Sequence, residues 1–153
     1  MYFSAAGLAL LKRSEGLRLF VYRDAAGLPT IGYGHKLTPG EHYPKGITEA
    51  EAFVLLDKDL SVVEKFVASL VHVTLTQGQF DALVDFVYNL GYRRLAGSTL
   101  LRDLNAGNYD LVPKQLLLWD HGDMHGKEVE LKDLKARRQA EAKLWTTTQA
   151  SLA

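Results

Sequence analysis

Apolar residues at Phe53, Leu56, Leu60, Val63, Val67 and Leu70 recur at steps of three and four, and Thr48 with Glu51 has the spacing of a capping box at the head of that run. The pattern predicts one long amphipathic helix from Thr48, whose single apolar stripe has to be covered by the rest of the chain. Two different periodicities flank it. Upstream, Leu19 and Val21 alternate with Phe20 and Tyr22, and Asp24-Ala25-Ala26-Gly27 supplies a turn before Pro29, so Leu17 to Leu37 reads as a small antiparallel sheet. Ser4 can cap a first helix through Leu11, stopped by Gly16. Downstream only helical patterns follow. Thr76 with Gln79 opens a helix that buries Phe80, Leu83, Val84, Val87 and Leu90 and ends at Gly91. Ser98 caps Thr99 to Ala106, closed by Gly107. Asp110 caps the next helix, with Pro113 in its first turn before Leu116, Leu117 and Trp119. The last runs from about Glu130 to Thr146, with Leu131, Leu134 and Trp145 near one side. Segregated elements imply an α+β architecture, mostly helical, with the helix from Thr48 bridging two lobes.

At 153 residues and 17.0 kDa the chain is one domain, and 47% hydrophobic with 24% charged residues is ordinary globular usage. Lysine plus arginine number 18, as do aspartate plus glutamate, so no uniform positive field exists to hold nucleic acid by charge alone. With no cysteine, disulfides, thiol nucleophiles, thiolate zinc sites and iron-sulfur clusters are excluded. The apolar stretch Ala5 to Leu11 is too short to span a membrane and does not read as a secretory signal.

In the strand after the turn, Thr30, Gly32 and Gly34 share one face, while Ile31, Tyr33, His35 and Leu37 share the other. A face so bare admits a ligand or another segment, or marks a twisted edge. Glu15 and Asp24 flank the first strand, and Thr30 follows the turn. Glu15 lies at a helix C-terminus, whose partial negative charge favours the protonated acid; Asp24, in a polar turn near Arg23, has reason to stay ionised. Two carboxyls so separated are what glycoside cleavage requires, one protonating the leaving oxygen and one activating water that Thr30 could hold. The plainer reading is that both are solvated surface carboxylates.

Asp120 to Lys127 reads as a polar loop. Its Asp120, His121, Asp123 and His125 are metal-competent types, but Gly122 and Gly126 argue for turns, and no metal site is expected. Lys132, Lys135, Arg137, Arg138 and Lys143 give the last helix a local basic excess, either a solvated face or a transient membrane contact.

The strings Ser14-Glu15-Gly16-Leu17-Arg18-Leu19, Tyr22-Arg23-Asp24, Gly27 and Thr30-Ile31-Gly32-Tyr33-Gly34-His35 closely resemble the phage-type lysozymes, the endolysin family of T-even phage lysozyme. The resemblance continues through Ile47 to Ala52, Phe86 to Gly91, Ser98 to Leu101 and Arg137 to Glu141, and departs from Asp120 to Glu128, where relatives often carry a different glycine-rich turn. It implies a single domain over 1–153 with a lysozyme-like bilobal fold: a sheet lobe at about 14–60 and a helical lobe at about 65–153 plus the N-terminal helix. The implied activity is a cofactor-free, metal-free muramidase cutting the β-1,4 bond between N-acetylmuramic acid and N-acetylglucosamine in peptidoglycan. By residue-to-residue match, Glu15 is the acid, Asp24 the base and Thr30 the water-positioning hydroxyl. His35, Tyr88, Asn89 and Arg138 are expected near substrate. For His35 the alternative is a half-buried histidine bonded to a local carboxylate, and for Tyr88 it is core packing. One of Arg137 and Arg138 is expected to approach the acid. A monomer is expected, without nucleic-acid partners, made in the host bacterial cytoplasm and reaching the wall after a holin opens the membrane. A lytic transglycosylase of the same fold, or a non-catalytic glycan-binding or membrane-disrupting protein, are the alternatives.

Overall fold

The computed structural model describes residues 1–124, 127–130 and 132–147, with the backbone alone for 122–124 and 127–130. The long helix, α2 (Glu49–Leu70), spans 22 residues and starts with both halves of the Thr48–Glu51 capping box formed. At 1.5 Å per residue it is about 33 Å long. Ala52, Leu56, Leu60, Val63 and Val67 face inward, whereas Phe53 is 44% exposed. The stripe begins at Ala52 because the sheet backbone packs there: a Cβ on Gly32 would stand 3.4 Å from that of Ala52, leaving no room for a large ring. Phe53 instead lies under the Lys12 ammonium, 4.9 Å from its ring centre.

The sheet is antiparallel in the order β1 (Arg18–Arg23), β2 (Pro29–Gly32), β3 (His35–Lys36). The expected continuous strand from Thr30 to Leu37 is therefore two strands. Gly32 and Gly34, at φ 69° and 78°, adopt left-handed conformations that fold the chain back, so that Ile31 pairs with His35 and Thr30 with Lys36. Alternation of faces along one strand does not survive such a reversal.

The remaining helices gather on α3 (Gln77–Leu90), which opens with the Thr76–Gln79 capping box. Every residue from Phe80 to Val87 is buried. Although α1 (Ala5–Glu15) comes first in the chain, it packs on α3 and on α7 (Lys132–Thr146). Its capping residue, Ser4, donates from its hydroxyl to Asp81 of α3, and the Ser4 backbone N–H reaches the same carboxylate at 3.0 Å. Glu15 is thus carried on an element fixed to the helical core.

Three expectations are corrected. Asp110 caps nothing: a 3-10 turn at Tyr109–Leu111 runs directly into a short helix (Val112–Leu116) whose first turn holds Pro113. The stretch read as a loop contains a hairpin, His121–Met124 paired with Lys127–Glu130, because backbone pairing there needs no apolar alternation. The basic face of α7 is smaller than its sequence suggests, since Arg137 and Arg138 are buried.

Candidate active site

Asp24 is held by its own turn. Its Oδ1 accepts from the backbone N–H groups of Ala26 and Leu28 at 2.9 and 2.8 Å, and its Oδ2 accepts from the Lys36 ammonium on β3. The Lys36 hydrogen bond, joined by these backbone donors, keeps the Asp24 carboxyl below the ordinary range, so it is ionised at neutral pH. Thr30 is fully buried and donates its hydroxyl proton to the Leu28 carbonyl at 2.8 Å. One peptide residue, Leu28, therefore binds both Asp24 and Thr30. With its proton engaged, the Thr30 oxygen is left as an acceptor.

Glu15, the last residue of α1, meets the same sheet at the adjoining β2–β3 turn. A Cβ on Gly34 would fall 2.5 Å from Glu15 Oε2, so only glycine lets the β2–β3 turn come this close. Of the readings open for the bare backbone, a ligand, another segment or a twisted edge, the structure shows the second at Gly34, where the end of α1 comes close. Tyr22 of β1 lies in the field of both carboxylates: burial, then the charge of Glu15, and more weakly that of Asp24, push its phenol up. Asp24 and Thr30 are thus joined at the β1–β2 turn, and Glu15 stands at the adjoining β2–β3 turn of the same sheet.

Behind Glu15 stands a buried polar network that sequence reading found only in part. The Arg137 Nη1 donates to Glu15 Oε1 at 2.7 Å, while Nε and Nη2 form a fork on Asp85 of α3 at 2.8 Å each. Arg138, placed among substrate contacts by resemblance, has no exposed surface. It donates to Asn89 at 2.9 Å and lies against Glu141, with Nη2 2.8 Å and Nε 2.7 Å from its two oxygens. The assignment is corrected to Arg137: on one helix, adjacent residues point about 100° apart, and only one can reach Glu15. Asp85 was missed, although an aspartate at an inward position of an apolar helix is itself a signal of a buried partner.

His35 has both ring nitrogens committed, Nδ1 to Asp59 of α2 at 2.6 Å and Nε2 to Glu41 at 3.0 Å. Burial alone would lower its pKa, but these two carboxylates outweigh it and the net shift is upward. Glu41, despite burial, is brought down to about 2 by hydrogen bonds from Tyr43, Thr38 and His35. The arrangement is the carboxylate-bonded histidine, and it ties sheet to α2. The Tyr88 hydroxyl donates to the Tyr33 carbonyl, pinning α3 to the β2–β3 turn. Asn89 lines a cavity of about 440 Å³ beside Glu15, with Arg13, Ser14, Asp133, Leu134 and Arg137. His121 pairs with Asp120 at 2.6 Å; the side chains of Asp123 and His125 lie outside the described residues, among which no group of three or more His, Asp or Glu side chains is arranged to hold a metal ion.

A family model described as phage lysozyme matches residues 12–141. The endolysin of Salmonella phage P22 is 41% identical over 148 residues, covering 95% of this chain and 98% of that protein. The SAR-endolysin of Escherichia phage Mu is 36% identical over 131 residues, 86% of this chain and 73% of the relative. Among solved structures, the muramidase domain of SpmX from Asticaccaulis excentricus is similar at a TM-score of 0.86 and 35% identity, covering 95% of this chain and 98% of that one.

Proposed function

The chain belongs to the phage lysozyme family, and on that premise we propose that it hydrolyses the β-1,4 bond between N-acetylmuramic acid and N-acetylglucosamine in peptidoglycan, with Glu15 as proton donor. The observation that carries the reading is the placement of Glu15, Asp24 and Thr30 on one small sheet: Asp24 and Thr30 both bind Leu28 of the β1–β2 turn, and Glu15 meets the β2–β3 turn at Gly34. Glu15 delivers its proton to the leaving oxygen. Asp24, ionised, removes a proton from the attacking water, and the Thr30 oxygen accepts that water's second hydrogen. Attack from the face opposite the leaving group inverts the anomeric centre. Asn89, at the cavity beside Glu15, is the substrate contact the geometry favours, while His35 and Tyr88 act by holding the hairpin in place.

Digestion of purified peptidoglycan in oxygen-18 water tests the reaction. Hydrolysis gives labelled reducing ends of inverted configuration. A transglycosylase, using the substrate's own hydroxyl, gives unlabelled anhydro ends, and no soluble fragments at all would leave a glycan-binding protein. Labelled ends of retained configuration would overturn the inverting step alone.

We propose further that the protein collects in the host cytoplasm as a monomer and is released by a separate holin; its endolysin relatives support action at the cell wall. No described helix is long and apolar enough to cross a membrane. Expression without a holin should leave cells intact with active enzyme in the cytosol; prompt lysis with enzyme in the periplasm would overturn this route.

A further inference from the structure

Four charged residues behind the site, Asp85, Arg137, Arg138 and Glu141, are each at most 6% exposed, and the chemistry proposed above uses none of them. Arg137 spends all three of its nitrogens, two on Asp85 and one on Glu15. We propose that Asp85 is a positioning residue for the reaction: it fixes the Arg137 fork so that one nitrogen meets Glu15, and it offsets guanidinium charge that would otherwise hold the acid ionised. This rests on Glu15 being the proton donor.

The charge arrangement supports it. Glu141 is pushed well up by burial and by the neighbouring Asp85 charge. Arg137, in spite of burial, stays charged because Asp85 and Glu15 outweigh the desolvation. Asp85 is held down by the two arginines against its own burial. Loss of the Asp85 carboxylate therefore leaves one more unit of positive charge behind Glu15, whose oxygen lies 2.7 Å from the Arg137 guanidinium. The other groups facing Glu15 do not replace Asp85. Tyr22 from β1 and Tyr88 from α3 are neutral phenols with raised pKa, and Arg13 from α1 and Asp133 from α7, at the adjoining cavity, are of opposite sign.

The test is the pH dependence of kcat and KM on solubilised peptidoglycan for the parent, Asp85→Asn and Glu15→Gln, with folding checked by circular dichroism at each pH. In Asp85→Asn the alkaline limb of kcat moves to lower pH by about one unit or more, while KM changes little. A folded Asp85→Asn protein whose limb stays in place, or whose activity falls equally at every pH, overturns the proposal. Substantial activity in Glu15→Gln overturns the proton-donor reading itself, whereas an inactive Glu15→Gln beside an unshifted Asp85→Asn overturns only the role of Asp85. If Asp85→Asn does not fold, carboxyl carbon-13 titration of the parent decides: Asp85 ionised at pH 7 supports the arrangement, and a protonated Asp85 overturns it.

Discussion

Glu15 is held by the far end of the chain, Asp24 by its own turn. The Arg137 that reaches Glu15 is 122 residues away in sequence and buried, whereas the donors to Asp24 come from two, four and twelve residues on. Glu15 depends on α1, α3 and α7 packing correctly before its environment exists. Asp24 acquires most of its environment when one hairpin closes. The consequence is a difference in robustness: water and salt reach the Asp24–Lys36 pair, with Lys36 53% exposed at its side chain, but not the Arg137–Asp85 fork, where Asp85 has no exposed side-chain surface.

The largest expected effect breaks the Glu15 side of this comparison: Glu15→Gln lowers kcat by about 10²- to 10⁴-fold with the fold intact, read by turbidity clearing and by fragment release. Next is His35, which ties the hairpin to α2. Its raised pKa means that its contribution to stability is complete below the ordinary histidine value of about 6.5 and is lost as pH rises through the folded value. Glu41, lowered to about 2, contributes above its ordinary value and is lost as pH falls toward 2. His35→Asn should therefore cost about 1–3 kcal/mol, with the largest Tm difference at about pH 4.5–6.5, closing on the alkaline side. A Tm difference independent of pH would exclude the ion pairs as its source.

Smaller effects belong to the Asp24 side. Lys36→Met removes the first cause of the lowered Asp24 pKa, so the acidic limb of the activity profile moves to higher pH while the rate at neutral pH changes by less than about tenfold. Smallest, raising salt from about 0.05 to 0.5 M moves the same acidic limb upward and leaves the alkaline limb in place, since screening acts on exposed charges and not on the buried fork. Equal movement of both limbs would erase the distinction between the two carboxylates.

The same division between near and far separates what could be read from residues from what could not. Thr48 with Glu51 and Thr76 with Gln79 formed the capping boxes their spacing implies, and Asp24 and Thr30 are brought together by a hairpin whose turn residues are visible in the chain. Phe53 faced outward because β2 needs the small Ala52 beneath it, and Arg138 went inward because Glu141 and Asn89 await it. Gly32 and Asn89 are distant in sequence from the residues they meet, and Glu141, one turn along the same helix from Arg138, is buried only by the packing of that helix.

By itself, then, the sequence determined the helices with their caps and the order of sheet and helices, because each rests on spacing within a few residues, where chain geometry leaves little choice. Only the tertiary structure decided which arginine meets Glu15, that Gly34 yields its space to that acid, and that Asp85 shares the guanidinium. Those are contacts between elements brought together by burial of the core, and in a close-packed interior their geometry is set by the whole assembly rather than by any one segment.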